Sequence, residues 1–327
     1  MGSNEVSFPT GVAARLAARS NGFTSGTSGL CPSYLQANLI VLPSRYAADF
    51  RLLCARNPVP CPLLAESAVP GDATLLKSHL KIPVHGATAG AAGGLAGGKP
   101  TQKHEDEVLL PVAGDIDLRR DAPKYRVYKD GEFSGSEVED VAAEWTDDHV
   151  GFLIGCSYSF ESALADAGLP PRHMIQGRNV PMYRTTVPLC PAGVFAGGTY
   201  VVSMRPYRKA DVERVRDVTR PYVATHGEPI AWGWDAVSQL GIKDIRKPEW
   251  GERAVRLDGS GLAFDEGDED YVPVFWGCGV TPQNAVMMAG LKGTVMAHAP
   301  GHMIVLDVRD HDVFPVAVEK ADADASH

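Results

Sequence analysis

Residues 272–283 read VPVFWGCGVTPQ, and an earlier stretch, residues 152–164, answers them with FLIGCSYSFESAL. Each is an apolar run that ends in Gly-Cys and passes through a hydroxyl into an Ala-containing apolar pattern. Gly155-Cys156 matches Gly277-Cys278, Ser159 matches Thr281, Glu161 matches Gln283, and Ala163 matches Ala285. A short apolar run reads as a buried strand, and a hydroxyl ahead of an amphipathic pattern reads as a helix N-cap. Pro282 then takes the first helical position, where its missing N–H is harmless. Either stretch alone is an ordinary strand entering a helix. Together they predict two strand-turn-helix corners of one design, which aim backbone donors at a shared spot. The expected geometry is a pseudo-symmetric pair, with Cys156 and Cys278 side by side beneath one polar pocket.

Outward from these corners, strand and helix patterns alternate irregularly. The spacing predicts helices over 10–20, 44–56, 137–147 and 209–219, and strands over 34–43, 125–132, 294–297 and 303–308. This is a mixed α/β (α+β) class with two lobes and mixed sheets. The expected division places residues 1–119 and 221–327 in the main domain and 120–220 in a smaller inserted one. A Gly/Ala-rich loop insertion falls within 78–118. Its GGLAGGK (93–99) imitates a phosphate-binding loop, but Pro100 stands where a Ser or Thr must hold magnesium, and no apolar strand precedes it.

The 327 residues carry a formal net charge of −9, with 44% hydrophobic and 22% charged side chains. No basic stripe serves nucleic acid, and no 18-residue apolar run serves a membrane. Six cysteines, scattered without CxxC spacing, argue against a zinc site or a secreted disulfide framework. The expected location is the cytosol, with the mitochondrial matrix as the alternative. The expected partner is a small amino or carboxylic acid, and a homo-oligomer is compatible with the chain. No cofactor motif is present, and no ligand set for a divalent metal can be named.

Several side chains suit chemistry on such an acid. Arg205 closes an apolar strand, where its guanidinium either forks onto a substrate carboxylate or makes a structural salt bridge. His298 and His302 flank Ala-Pro-Gly, which rules out a helical metal pair and leaves a loop pair able to act as acid and base. Cys156 and Cys278 are thiols at helix starts, open to a nucleophilic or a packing role. Glu161, in a first helical turn, is a candidate base or a dipole-favoured residue. His226 lies in Thr-His-Gly-Glu-Pro.

The blocks GLCPSYLQANL (29–39), NPVPCPLL (57–64), KYRVYKDGE (124–132), NVPMYRT (179–185), VVSMRP (201–206), HGEP (226–229) and HAPGHM (298–303), with the two corners, run in order along the chain. In these blocks the chain resembles the D-glutamate cyclase family, formerly grouped as hydro-lyases of unassigned function. The resemblance implies a two-domain α/β fold and dehydration of D-glutamate to 5-oxo-D-proline, the α-amine attacking the γ-carboxyl. The candidate catalytic set is His302, His298, Glu161, Cys156, Cys278, Ser157, Ser159 and Thr281. The candidate substrate-binding set is Arg205, Asn179, Tyr183, Tyr34, Gln36, Asn38, His226 and Gln283. The base is left open among His302, His298 and Glu161, and the hydroxyls and corner backbone suit the oxyanion. The alternatives are a hydro-lyase or amide-forming enzyme on another small acid, and a non-catalytic carboxylic acid binding protein. Three features depart from the family pattern: the long 78–118 stretch, Ala231 with Trp232-Gly233-Trp234, and Ala297 in place of a hydroxyl.

Overall fold

A computed structural model describes residues 6–83 and 107–314. The strands are β1 Tyr34–Pro43, β2 Leu63–Ser67, β3 Leu76–Ser78, β4 Lys81–Pro83, β5 Glu107–Leu109, β6 Tyr125–Lys129 and β7 Glu132–Val138, then β8 His149–Gly155, β9 Met182–Pro188, β10 Thr199–Arg208, β11 Ala231–Trp232, β12 Tyr271–Gly277, β13 Thr294–His298 and β14 Ile304–Arg309. The helices are α1 Gly11–Arg19, α2 Ala47–Arg56, α3 Glu161–Asp166, α4 Arg172–Ile175, α5 Val212–Thr219, α6 Trp234–Gln239, α7 Val280–Met288 and α8 Asp310–Val313. The expected mixed α and β class holds, on two principal sheets.

The first sheet runs β3-β2-β8-β1-β13-β6-β7, with β14 pairing the start of β1 beyond β13. The second runs β11-β12-β10-β9, and β4 and β5 form a separate hairpin. Sheet membership corrects the expected 120–220 lobe. Residues 125–155 belong to the first sheet because β6 pairs β13 and β8 pairs β1, whereas the second sheet spans 182–277. The helix expected over 137–147 is also absent. Asp130 and Gly131 both take positive φ and turn the chain into a hairpin, Tyr128 opposite Phe133, so β7 occupies the start of that stretch. The Gly/Ala tract at 86–98 lies outside the described residues.

Alternation along the strands locates the shared core. Leu35, Ala37, Leu39 and Val41 of β1 join Val272, Val274 and Trp276 of β12 in one buried cluster, while Ile40 and Leu42 face another. The two sheets therefore pack through a single apolar layer.

The sheets also repeat a unit. β1, a three-residue 3-10 turn (Ser44–Tyr46) and α2 are matched by β10, a three-residue turn (Lys209–Asp211) and α5. The starts fall at 34, 44 and 47 in the first unit and at 199, 209 and 212 in the second, a constant offset of 165. In the first unit Ala37 pairs Gly155, and in the second Val202 pairs Gly277. The corners thus end equivalent strands in equivalent registers.

Candidate active site

The two Gly-Cys corners close in the same way. Ser159 N–H donates to the Cys156 carbonyl at 3.0 Å, and Thr281 N–H to the Cys278 carbonyl at 2.8 Å. Each sulfur lies under a backbone N–H two residues on, from Tyr158 and from Val280. Each glycine is pinned by the other unit's loop. A Cβ on Gly155 would sit 2.0 Å from the Ala224 carbonyl, and one on Gly277 3.2 Å from the Val59 carbonyl. Val59 and Ala224 are themselves 165 residues apart. The corners converge. Cys156 and Cys278 line one cavity of about 330 Å³ of empty volume, open solvent included, with Ser157, Tyr158, Asn38 and His298.

His298 ends β13 and is 1% exposed. The Leu39 backbone N–H, which can only donate, reaches its Nδ1 at 3.1 Å, and Gln283 Nε2 approaches the same atom at 2.9 Å. The Leu39 carbonyl also lies 3.2 Å from Nδ1, so two donors and one acceptor meet this atom, and the tautomer that satisfies both donors accepts at Nδ1 and carries its proton on Nε2. Among the described residues Nε2 takes no hydrogen bond, so it is left for the cavity. Burial pushes the imidazole down to about 4, and it is neutral at pH 7. Asn38 Nδ2 donates to the Gly155 carbonyl at 3.0 Å, and a Cβ on Gly279 would fall 1.9 Å from that nitrogen. Asn38 is therefore wedged between the corners.

The D-glutamate cyclase family model matches residues 150–307. A Schizosaccharomyces pombe protein named "Putative hydro-lyase C5H10.01" is 44% identical over 91% of this chain and 84% of its own length. A Bordetella petrii protein, "Putative hydro-lyase Bpet2233", is 43% identical over 91% of this chain and 94% of its own. The chain belongs to the D-glutamate cyclase family. Among solved structures, a nitrogen repressor-like protein from Methanococcus jannaschii overlays 93% of this chain and 97% of its own at TM-score 0.34 and 9% identity, too loosely to bear on function.

Within this family member, several expected roles are corrected. Arg205 does not present an open fork. Its Nε and Nη2 donate to Glu161 Oε1 at 3.2 and 2.6 Å, Nη1 to Ser203 Oγ at 3.1 Å, and Nη2 also to Ser157 Oγ at 3.0 Å. Phe160 and Trp276 rings lie 5.2 and 5.3 Å from Cζ, which fixes the plane. Glu161 is equally committed. Burial works to raise its pKa, but His173 and Arg205 outweigh it and hold the carboxyl at about 2, which makes it a poor base. Burial pushes both corner thiols up, Cys278 to about 11, so neither is a ready nucleophile at neutral pH.

Neither hydroxyl expected to cap a helix does so. Ser159 Oγ accepts from Gln36 N–H at 3.0 Å, and Thr281 Oγ1 accepts from Val201 N–H and donates to its carbonyl. Gln36 and Val201 are equivalent residues of β1 and β10, so each hydroxyl clamps its corner to the neighbouring strand. Gln36 Nε2 meets Thr27 O, Tyr183 donates to Ile245 O, and Tyr34 accepts from Arg309 at the surface. None of these three lines the cavity, each being turned toward backbone partners or solvent. Asn179 Oδ1 accepts from the Tyr158 hydroxyl at 2.6 Å and so acts behind the wall. Gln283 likewise acts through His298.

His302 lies outside the lining. Its Nδ1 meets Pro300 O at 2.9 Å, and burial lowers its pKa. Only Pro300, Gly301 and Met303 of its loop face the cavity. His226 sits beneath the corners in left-handed backbone, φ 90°, and donates from Nδ1 to Val59 O at 2.8 Å. Ala231, Trp232 and Ala297, the departures from the family pattern, also lie off the cavity wall. Sequence reading missed Tyr158, whose signal was an aromatic two residues beyond Gly-Cys. Among the described residues no three His, Cys, Asp or Glu side chains converge as metal ligands.

Proposed function

We propose that this chain is a hydro-lyase that closes D-glutamate to 5-oxo-D-proline in the cavity between the corners. The observation that carries the reading is the buried His298 on the wall of that cavity, its Nδ1 engaged by Leu39 and Gln283, in a member of the D-glutamate cyclase family.

The proton arithmetic suits this wall. Glutamate at neutral pH and 5-oxoproline with water have the same net charge. The two protons shed by the ammonium are the two that leave with the γ-oxygen as water. The reaction therefore needs a relay rather than a strong base. His298 can donate a hydrogen bond from Nε2–H to the departing oxygen while the two ammonium protons pass to that oxygen and leave with it as water, with Gln283 and Leu39 holding the ring. Ser157 Oγ accepts from Arg205, so its own O–H is free to donate to the tetrahedral oxyanion. Among the described lining side chains none is formally charged, so the carboxylates are held by neutral donors. The cavity's main contribution is to fold an intramolecular substrate into its reacting conformation.

The test is turnover of D- and L-glutamate by the purified chain, with 5-oxoproline separated by chiral chromatography. Conversion of the D enantiomer and loss of kcat in His298→Gln support the reading. No product from D-glutamate, with another small amino or hydroxy acid dehydrated instead, overturns it.

A further inference from the structure

A second, narrow cleft, of about 240 Å³ of empty volume with open solvent included, backs onto the first. Its wall includes Arg172, His173, Arg178, Asn179, Glu252 and Arg253. His173 stacks on Tyr158 at 6.2 Å and Asn179 accepts the Tyr158 hydroxyl, so one tyrosine separates the two spaces.

Arg172 opens α4 and is 2% exposed. Nη1 is satisfied by Val255 O at 3.2 Å and Asp268 Oδ2 at 2.9 Å. The rings of Tyr271 and Phe264 lie 4.4 and 5.2 Å from Cζ and fix the guanidinium plane. Its other edge, Nε and Nη2, is buried with no hydrogen-bond partner among the described residues. That edge is the side-on fork by which arginine grips two oxygens of one anion. In Arg205 the same fork is filled by Glu161. In Arg172 it is unpaired.

Neighbouring nitrogens share the condition. Arg178 Nε also has no partner, although its Nη2 pairs with Glu252 at 3.3 Å, while His173 Nε2 faces Glu161 at 3.0 Å. Three arginines against one glutamate give the lining a formal net charge of +2, His173 left out of the count. Unpaired buried donors are costly, and a ligand that pairs them recovers that cost.

We propose that this cavity binds a small oxyanion, a carboxylate or a phosphate, through the Nε–Nη2 fork of Arg172. The site stands apart from the reaction cavity and does not depend on which substrate is dehydrated there. The carboxylate source would be a small organic acid and the phosphate source free inorganic phosphate.

Calorimetric titration of the full chain tests this, with sodium phosphate in one arm, sodium acetate in another, and sodium chloride at matched ionic strength as the reference. Saturable binding of phosphate or acetate is expected, and the tighter anion names the source. Arg172→Lys keeps the charge but loses the fork, and should weaken binding by about tenfold or more. Arg253→Ala should weaken it a few-fold, about what an exposed charge contributes. Ser157→Ala, in the other cavity, should leave it unchanged. Should Arg172→Lys fail to fold, Arg178→Gln and Arg253→Ala decide in its place. Binding no stronger than chloride, or equal binding by wild type and all three arginine variants, overturns the proposal.

Discussion

Arg205 and Glu161 neutralise each other inside the core shared by both sheets, Nη2 lying 2.6 Å from Oε1 with both side chains at most 1% exposed. Taking two ions out of water is expensive, and breaking a buried pair from one side leaves the other ion stranded. Glu161→Leu alone should therefore destabilise the fold by about 3–5 kcal/mol. Arg205→Met combined with Glu161→Leu should recover much of that loss. Urea unfolding measures both. A double variant as unstable as the sum of the singles would show that the two residues do not act as a pair.

Acid should weaken the protein through its buried histidines. Burial holds His226 and His298 at about 4, against an ordinary value of 6.5. Below pH 6.5 the unfolded chain takes up protons that the folded one refuses, so stability falls until about pH 4. The slope is about 1.4 kcal/mol per pH unit for each histidine. The Glu161 contribution is lost in a lower window, as pH falls from 4.5 toward 2. His226→Gln should remove one histidine's share of the slope between pH 6.5 and 4. An unchanged slope in denaturation curves across that range would place the proton uptake elsewhere.

Ser157→Ala should lower kcat for D-glutamate by about 10²-fold, the usual cost of one oxyanion donor, with KM little changed. Steady-state kinetics separate the two. A rise in KM at constant kcat would instead make Ser157 a ground-state contact.

Gly155→Ala should destabilise by about 1–3 kcal/mol, since its Cβ must displace backbone rather than a flexible side chain. Gly197→Ala, with nothing within 4 Å, is the control and should stay within about 0.5 kcal/mol of wild type. Equal thermal midpoints for the two would mean that the Gly155 packing relaxes freely.

Iodoacetamide should label exposed Cys190 well before Cys156 or Cys278, which are buried and held protonated. Peptide mass spectrometry against time reads the order. Early labelling of either corner thiol would restore it as a nucleophile.

The corners were legible because strand period, Gly-Cys and the hydroxyl spacing are all local signals. The sequence match of Ser159 with Thr281 was real, yet its meaning was not a cap. Which backbone a hydroxyl meets depends on the neighbouring strand, and Gln36 and Val201 lie far off in the chain. Arg205 illustrates the same limit. A guanidinium at a strand end serves a ligand or a carboxylate equally well until Glu161 is placed beside it. Arg172 carried almost no signal, since it opens a four-residue helix in a proline-flanked stretch. The inserted lobe was misplaced because β6 finds its partner, β13, more than 160 residues later, and nothing local marks such a pairing.

The crossed packing of Gly155 under Ala224 and Gly277 under Val59 has a mechanical consequence. Each half of the cavity is latched by a loop belonging to the opposite half, and the His226–Val59 bond ties the latches together. Swinging one sheet away from the other, as a clamshell opens, would have to release both latches at once. The segment 300–303 of the cavity wall is held by neither latch but by Thr27, whose N–H donates to the Gly301 carbonyl and whose Oγ1 accepts from the Met303 N–H.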